Sequence, residues 1–321
     1  MNIVVTGSIA YDYLMTFPGH FSEHFLPDEI DHLSVSFLVD EMRRQRGGVA
    51  TNIAYNLALL GERPRVMATV GQDFDEYRVW LEAQGVDTSL IHTELDLFTA
   101  SCFINTDRDG NQIVSFYTGA MARASNLSFH DQDVGEVDLA VISPNDPGAM
   151  IRYAAECQAL DIPYLYDPSQ QIIRLSGEDL RSGLEGCSLL VINEYEFGML
   201  REKTGMSAEA IQSTPARACV VTLGGEGTRI WAEGRVYDIP VVPPEQMDEP
   251  TGVGDAFRGG LIKGLALDLP WDMAGRLGAL AATYTLEHFG PQSHHYTLDE
   301  FVTRFREHFD DNGALDALLD T

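Results

Sequence analysis

The sequence predicts an α/β fold in which helices cover both faces of a parallel β-sheet. Several short apolar runs lack the polar–apolar alternation of half-exposed strands, as expected for strands that are covered on both sides. Segments with helical spacing separate these runs, and strands that alternate with helices are typical of parallel sheets. The predicted strands are residues 3–6, 65–70, 139–143, 163–167, 188–193 and 219–223.

Helical spacing and helix-end signals support this interpretation. Residues 52–60 carry apolar side chains at i, i+4 and i+7, and Gly61 follows as a stop signal. Apolar side chains four residues apart predict another helix that begins near Asp255. Thr297 and Glu300 have the spacing of a capping box, which predicts the start of a last helix.

Other segments depart from this rhythm and predict a small β layer inserted from two separate stretches. Residues 33–39 begin with period-two alternation, and residues 101–106 and 112–118 are strand-like runs joined by a turn with an Asp-Gly pair. Later in the chain, residues 229–232 and 235–242 flank a Glu-Gly pair and predict a hairpin.

The charge balance limits the partners of this chain. Its 321 residues include 21 Lys and Arg against 49 Asp and Glu, a formal net charge of −28. Such a surface repels phosphate backbones and anionic lipids, so we expect neither nucleic acid nor membrane partners. An anionic small-molecule substrate would need local compensation from backbone N–H groups or Mg²⁺.

The cysteines and the N-terminal segment bear on the compartment. The four cysteines are far apart and form no CxxC pair, which argues against a disulfide framework and a structural zinc site. The first residues lack the features of a signal peptide, and no stretch approaches the roughly 18 apolar residues of a membrane span. We therefore expect a cytoplasmic protein.

The strongest chemical motif runs from Pro250 to Gly260. Gly252 and Gly254 precede a predicted helix, so the backbone can curl and its free N–H groups can converge on an anion. Asp255 lies at the positive end of that helix, where it can stay ionised and accept a proton from an attacking hydroxyl. The alternative is a glycine turn with Asp as a helix cap.

A second motif, Gly47-Gly48, lies before the helix that contains Asn52. Paired glycines allow close backbone approach to a ligand. The amide of Asn52 offers a donor and an acceptor together, which suits a sugar hydroxyl. The alternative is a loop followed by an Asn cap.

Polar residues also follow several predicted strands, and ligands of parallel sheets bind beyond the carboxyl ends of the strands. These residues are Ser8, Asp12, Asp167, Gln170, Gln171, Asn193, Glu196, Thr222, Gly224 and Gly225. The sequence lacks the motifs GxxxxGK[ST], HExxH and GxSxG, and no GxGxxG follows its first strand. P-loop, zincin, α/β-hydrolase and dinucleotide sites are therefore not expected.

The two glycine motifs together resemble the signatures of the ribokinase-like (PfkB) carbohydrate kinases, and within them the bacterial adenosine kinases. The resemblance extends from residue 6 to residue 258, and Gly290-Pro291-Gln292 also fits. It implies a ribokinase-like fold, a doubly wound parallel sheet with helices on both faces plus a small β-sheet lid. The implied domains are residues 1–12, 46–98 and 121–321 for the larger one, and 13–45 and 99–120 for the lid.

The implied reaction moves the γ-phosphoryl group of ATP to the 5′-hydroxyl of adenosine, a purine salvage step. Asp255 would be the base. The anion hole would comprise Gly252, Val253 and Gly254. Glu196 would organise Mg²⁺ through water.

The resemblance also implies two groups of binding residues, with Phe103 and Phe116 flanking the purine from the lid. The nucleoside would contact Ser8, Asp12, Ser36, Gly48, Asn52, Phe103, Phe116, Gln170, Gln171 and Arg174. ATP would contact Asn193, Thr222, Gly224, Gly225 and Gly227.

Some positions depart from the family pattern, and alternatives stay open. Pro250 and Val253 replace a Thr and an Ala of the common motif, and Thr118 stands where related adenosine kinases often have Pro. A broader nucleoside kinase, a sugar kinase of the ribokinase or fructokinase type, and a nucleoside-binding regulator without catalysis are the other hypotheses. A monovalent cation is a further candidate cofactor, and a homodimer through the lid is a candidate assembly.

Overall fold

Two β-sheets organise the chain in the computed structural model, which describes residues 1–25, 34–132 and 134–319. The strands are β1 Ile3–Thr6, β2 Ala10–Thr16, β3 Glu41–Gly47, β4 Arg65–Gly71, β5 Ile91–Glu94, β6 Ala100–Thr106, β7 Gln112–Tyr117, β8 Leu139–Ile142, β9 Tyr164–Tyr166, β10 Leu189–Asn193, β11 Ala218–Thr222, β12 Thr228–Ala232 and β13 Arg235–Ile239. Within the described ranges, the larger sheet has the order β13-β12-β11-β10-β9-β8-β1-β4-β5.

Helices lie between these strands and after the last of them. They are α1 Val49–Leu59, α2 Asp75–Ala83, α3 Pro147–Ala159, α4 Gly177–Glu185, α5 Glu194–Thr204, α6 Ala208–Ser213, α7 Val253–Ala266, α8 Trp271–Leu286, α9 Leu298–His308 and α10 Asp316–Leu319. The predicted helices at 52–60, near Asp255 and after Thr297 are confirmed, and Thr297 and Glu300 form the predicted capping box.

The predicted parallel sheet is confirmed, and its burial explains the apolar runs. β5, β4, β1, β8, β9, β10 and β11 pair in parallel. Side chains of β1 alternate between two hydrophobic clusters, with Ile3 and Val5 in one and Val4 in the other. Because helices cover both faces, each position of such a strand needs an apolar side chain.

The predicted hairpin is also confirmed. β12 pairs antiparallel with β11 and with β13, and so extends one edge of the larger sheet. β5, a short strand at the other edge, was not predicted, because only its first residue is buried.

The smaller sheet has the order β3-β2-β6-β7 among the described residues, and sequence reasoning predicted only part of it. β6 and β7 were predicted, whereas β2 and β3 were not. The strand-like interpretation of residues 33–39 is wrong for 34–39, which form no strand, and Leu33 lies outside the described residues. Phe37 instead packs on Phe17 and Phe21 in an aromatic cluster.

The bounds of the smaller sheet bear on the division into domains. β2 begins at Ala10 and β3 ends at Gly47, so residues 10–12 and 46–47 belong to the smaller sheet. The predicted division placed these residues in the larger domain. The division itself remains our proposal.

Across the ranges that the structure describes, none of the helices has the length and apolar character that crossing a membrane requires.

Gly48 joins the smaller sheet to α1 where two backbone segments pass very close. Its φ of 98° is unfavourable for other residues. A Cβ at Gly48 would lie 2.5 Å from the carbonyl oxygen of Ser8 and 2.6 Å from the Cα of Ile9. Any side chain at this position would clash with the neighbouring backbone, so the position requires glycine.

We expect Gly48→Ala to lower the free energy of unfolding by about 2–4 kcal/mol, because it adds a backbone clash to a strained φ. Gly110→Ala is the matched control, since Gly110 has a φ of 81° but nothing within 4 Å of its ideal Cβ. That control should lose only about 1 kcal/mol. Urea denaturation measures both, and equal losses would contradict the role assigned to backbone contact.

Candidate active site

A cavity of about 600 Å³ is lined by residues of both sheets and by the amino ends of α5 and α7. Many predicted site residues line it: Ser8, Asp12, Gly48, Asn52, Phe116, Gln170, Gln171, Arg174, Asn193, Glu196, Thr222, Gly252, Gly254 and Asp255. The structure thus brings together residues that are up to 247 positions apart, from Ser8 to Asp255.

The parallel strands account for this convergence. Ser8 follows β1, Pro144 follows β8, and Ser169 follows β9, while Asn193 and Thr222 end β10 and β11. The carboxyl ends of parallel strands lie along the same edge of a sheet, where ligands bind in open α/β folds.

Asp255 lies in the first turn of α7, on the wall of the cavity. Gly252 is the N-cap with a φ of 80°, and this turn directs the helix start toward the cavity. Nδ2 of Asn52 donates a hydrogen bond to Oδ2 of Asp255 at 2.8 Å. Removal from bulk water raises the pKa of Asp255 to about 6, although Arg258 and Asn52 oppose that rise.

The start of α7 also provides backbone donors. N–H groups in the first turn of a helix have no acceptor within the helix, and they carry a partial positive charge. Gly252, Gly254 and Asp255 line the cavity around this turn. The arrangement suits an anion such as a phosphate group.

Arg258, one turn further along α7, lines the cavity and was not among the predicted site residues. Its Nε lies 2.7 Å from Oδ2 of Asp167, and both side chains are buried. Burial raises the pKa of Asp167 to about 7, against the opposing effect of Arg258, and Glu196 and Asp255 raise it further. The sequence signal for this residue was its charge, because it lies between Phe257 and Leu261 on a helix whose sequence is largely apolar.

The amino end of α5 fixes Glu196. Asn193 and Glu196 form a capping box, in which Oδ1 of Asn193 accepts from the amide of Glu196 at 2.8 Å. The carboxylate of Glu196 accepts from the amide of Asn193 and from the hydroxyl of Ser169, both at 2.9 Å. Glu196 is thus held at the cavity wall, beside Asp167 and Asp255.

The smaller sheet contributes Asp12, on β2. Its side chain packs over Gly47, where a Cβ would lie 2.6 Å from the Asp12 carboxylate. Burial and the nearby charge of Glu249 raise the pKa of Asp12 to about 6. Asp12, Cys102 and Phe116 are paired across β2, β6 and β7, so all three lie on the face that lines the cavity.

Two predicted contacts are not supported by these positions. Phe103 follows Cys102 on β6, and successive side chains of a strand lie on opposite faces. Phe103 therefore lies on the far face, 38% exposed and stacked on Tyr13 at 4.8 Å. Ser36 is exposed beside Phe37 and does not line the cavity.

A second cavity, of about 370 Å³, adjoins the first and shares Thr222 and Gly254 with it. The predicted residues Gly224, Gly225, Gly227 and Val253 line this one. Its remaining wall is mostly apolar and includes Val241, Val242, Pro244, Met247, Pro250, Phe257, Ala279, Ala282 and Leu286. Sequence reasoning missed this wall, because such residues carry no chemical signature.

Comparisons with known proteins identify the family. The model of the pfkB family of carbohydrate kinases matches residues 2–297. The chain belongs to this family. The resemblance expected from the two glycine motifs is confirmed, and this pfkB family kinase is a phosphotransferase that acts on a hydroxyl group.

Several relatives of this pfkB family kinase are nucleoside kinases. A nucleoside kinase of Methanothermobacter thermautotrophicus is 28% identical over 306 residues, 95% of each chain. The solved structure of Burkholderia thailandensis nucleoside kinase with inosine is 35% identical, with a TM-score of 0.86 over 96% of this chain and 98% of that one. Ribokinase of Thermotoga maritima, 20% identical with a TM-score of 0.78 over 95% and 99% of the two chains, shares the fold, which confirms the predicted fold class.

Arg258→Met should lower the free energy of unfolding by about 3–5 kcal/mol at pH 8.5, because it leaves buried carboxylates without their cation. The loss should be smaller at pH 6. Below its raised pKa the Asp167 carboxyl is protonated and needs no partner, so the variant loses less stability there. As the pH rises through about 7 the carboxyl ionises, and the stability that its protonated form gave the folded state is lost.

Urea denaturation at the two pH values measures this dependence. The double variant Arg258→Met with Asp167→Leu is the control, since it removes both charges and should recover part of the loss. A loss from Arg258→Met that is equal at both pH values would contradict the ion-pair explanation.

Proposed function

We propose that this chain is a nucleoside kinase that transfers the γ-phosphoryl group of ATP to the 5′-hydroxyl of a nucleoside. The observation that carries the proposal is the cavity itself. It combines a carboxylate at a helix start, Asp255, with an aromatic side chain on the smaller sheet, Phe116. The first suits phosphoryl transfer to a hydroxyl, and the second suits a flat base.

The range of nucleosides that the enzyme phosphorylates is part of this proposal. Our narrower expectation from the sequence is adenosine. The relatives named nucleoside kinase, and the Burkholderia thailandensis enzyme solved with inosine, support the broader alternative better. We therefore propose several nucleosides as acceptors, with adenosine among them.

Asp255 acts in this proposal as the base. The 5′-oxygen forms a bond to the γ-phosphorus as the bond from that phosphorus to the β,γ-bridging oxygen breaks, and ADP leaves. The 5′-hydroxyl proton passes to a carboxylate oxygen of Asp255. The first-turn N–H groups of α7, at Gly252 to Asp255, stabilise the charge on the transferring group.

The remaining predicted residues divide between the two substrates. Asp12, Gly48 and Asn52 hold ribose hydroxyls, with Ser8, Gln170, Gln171 and Arg174 around them. The second cavity takes the adenine and ribose of ATP against its apolar wall. Its neighbours Thr222, Gly224, Gly225 and Gly227 line the approach to the first cavity.

The donor set of the first cavity fits Mg²⁺. Glu196, Asp167 and Asp255 surround the guanidinium of Arg258, and within the described residues Oδ1 of Asp167 has no hydrogen-bond partner, whereas Oδ2 is paired with Arg258. Mg²⁺ prefers oxygen ligands, so Glu196 would hold it through water. When bound, the ion would neutralise negative charge on the phosphates.

A homodimer through the smaller sheet is the assembly that we propose. Val114 and Phe116 on β7 are about half exposed, and Tyr13 and Phe103 stack on the opposite face of the sheet. An open sheet with exposed apolar side chains and an unpaired edge favours coverage by a second copy.

We expect Asp255→Asn to reduce kcat by several orders of magnitude, since the amide has no basic oxygen to take the proton. Nucleoside binding should survive, because the side chain keeps its size. The kcat of the unaltered enzyme should fall as the pH drops below about 6, where Asp255 becomes protonated.

A coupled ADP-release assay over a pH series, with calorimetry for nucleoside binding, checks both results. Turnover by Asp255→Asn near the rate of the unaltered enzyme would remove Asp255 from the role of base.

Phe116→Ala should raise KM for adenosine and inosine about tenfold, because a stacked base loses roughly 1–2 kcal/mol of contact. Activity on free ribose should change much less. Phe103→Ala is the matched control, since this aromatic ring lies on the same sheet but faces away from the cavity.

The ADP-release assay across a panel of nucleosides and sugars measures these differences. Equal effects of Phe116→Ala on adenosine and ribose would favour the sugar kinase alternative.

A further inference from the structure

A chain of buried hydrogen bonds leads from the candidate base to the loop after α8. Nδ2 of Asn52 donates to Asp255, and Oδ1 of Asn52 accepts from Nε2 of Gln292 at 2.7 Å. The same Nε2 lies 2.7 Å from the hydroxyl oxygen of Tyr77, which lies 3.0 Å from the carbonyl oxygen of Gly47. Asn52, Gln292 and Tyr77 are all buried.

The direction of these bonds is fixed at the Asp255 end. The carboxylate of Asp255 only accepts hydrogen bonds when ionised, so the amide of Asn52 must present its nitrogen there. Its oxygen then faces Gln292, which must present its own nitrogen. At the other end, the hydroxyl of Tyr77 lies within hydrogen-bond distance of both amide atoms of Gln292, 2.7 Å from Nε2 and 2.9 Å from Oε1.

Gln292 thereby decides which way the amide of Asn52 is turned. Without a donor at this position, the buried oxygen of Asn52 would lose its partner, and its amide could rotate to present oxygen to Asp255. That orientation would place two acceptors against each other and destabilise the ionised carboxylate.

We propose that Gln292 is a positioning residue that holds the amide of Asn52 so that its nitrogen faces the carboxylate of Asp255. It acts through Asn52 and does not touch the substrate. This inference rests on the proposed function, in which Asp255 takes the proton of the nucleoside hydroxyl.

The other groups that face Asp255 do not replace this contact. Arg258 lowers the pKa of Asp255, whereas Glu196 and burial raise it. Asp167, which is paired with Arg258, adds a further carboxylate nearby. Loss of the Asn52 donor therefore leaves Asp255 with one favourable charge, and its pKa should rise.

The test measures the acidic limb of the pH profile of kcat at saturating nucleoside and ATP. Gln292→Met keeps the side-chain length and removes the donor. It should move the limb upward by about one pH unit, which lowers kcat about tenfold at pH 5 and about twofold at pH 7. Tyr77→Phe leaves Gln292 in place and should move the limb in the same direction by less, so the proposal can be tested even if Gln292→Met fails to fold.

His294→Phe is the matched control. His294 belongs to the same segment and makes the equivalent contact one turn further along α1, with Nε2 3.0 Å from Oδ1 of Asn56. It should lower thermal stability and leave the acidic limb in place. A limb that moves as far in His294→Phe as in Gln292→Met would overturn the proposal.

Two further outcomes separate this inference from the proposed function. If Asp255→Asn is inactive and the limb does not move in Gln292→Met or Tyr77→Phe, the inference fails and the role of Asp255 stands. If Asp255→Asn turns over at nearly the rate of the unaltered enzyme, the proposed base is wrong, and the inference falls with it.

Discussion

The candidate site depends on negative charge held away from bulk water at the start of α7. Asp167, Glu196 and Asp255 converge there around the buried guanidinium of Arg258. Desolvation of a carboxylate is costly and raises its pKa, as for Asp167 and Asp255. Arg258 alone does not balance three carboxylates, so the site needs the uncharged donors around it: the Asn52 amide, the Asn193–Glu196 capping box and the first-turn N–H groups.

The parallel sheet makes this concentration of groups feasible. The central parallel strands of the larger sheet are buried on both faces, so most of their polar residues lie at their ends. The ends of β9, β10 and β11 all lie on one edge, and α7 is packed against α1, which carries Asn52. Residues distant in sequence therefore meet at the ends of largely apolar strands, and the core remains apolar.

The same physics decides what the sequence could predict. The buried strands and the capped helices were predictable, because burial on both faces and cap spacing leave clear patterns. β3 was not, since its residues are mostly charged and exposed and carry no apolar period. Phe103 and Phe116 were predicted as a pair, but the strand register, which places them on opposite faces, depends on pairing across the sheet. Gln292 gained meaning only from its three-dimensional contact with Asn52.

The strongly acidic composition and an anionic substrate are compatible for a physical reason. Charges on the outer surface act through water and are screened within about 10 Å at moderate salt. Inside the cavity, backbone N–H groups act at contact distance and in a lower dielectric, where each donor has a larger effect. These donors do not titrate near neutral pH, whereas Asp12, Asp167 and Asp255 do so between about 6 and 7. The pH dependence of the site should therefore come from its carboxylates, and the amide contacts that set their pKa values become part of its chemistry.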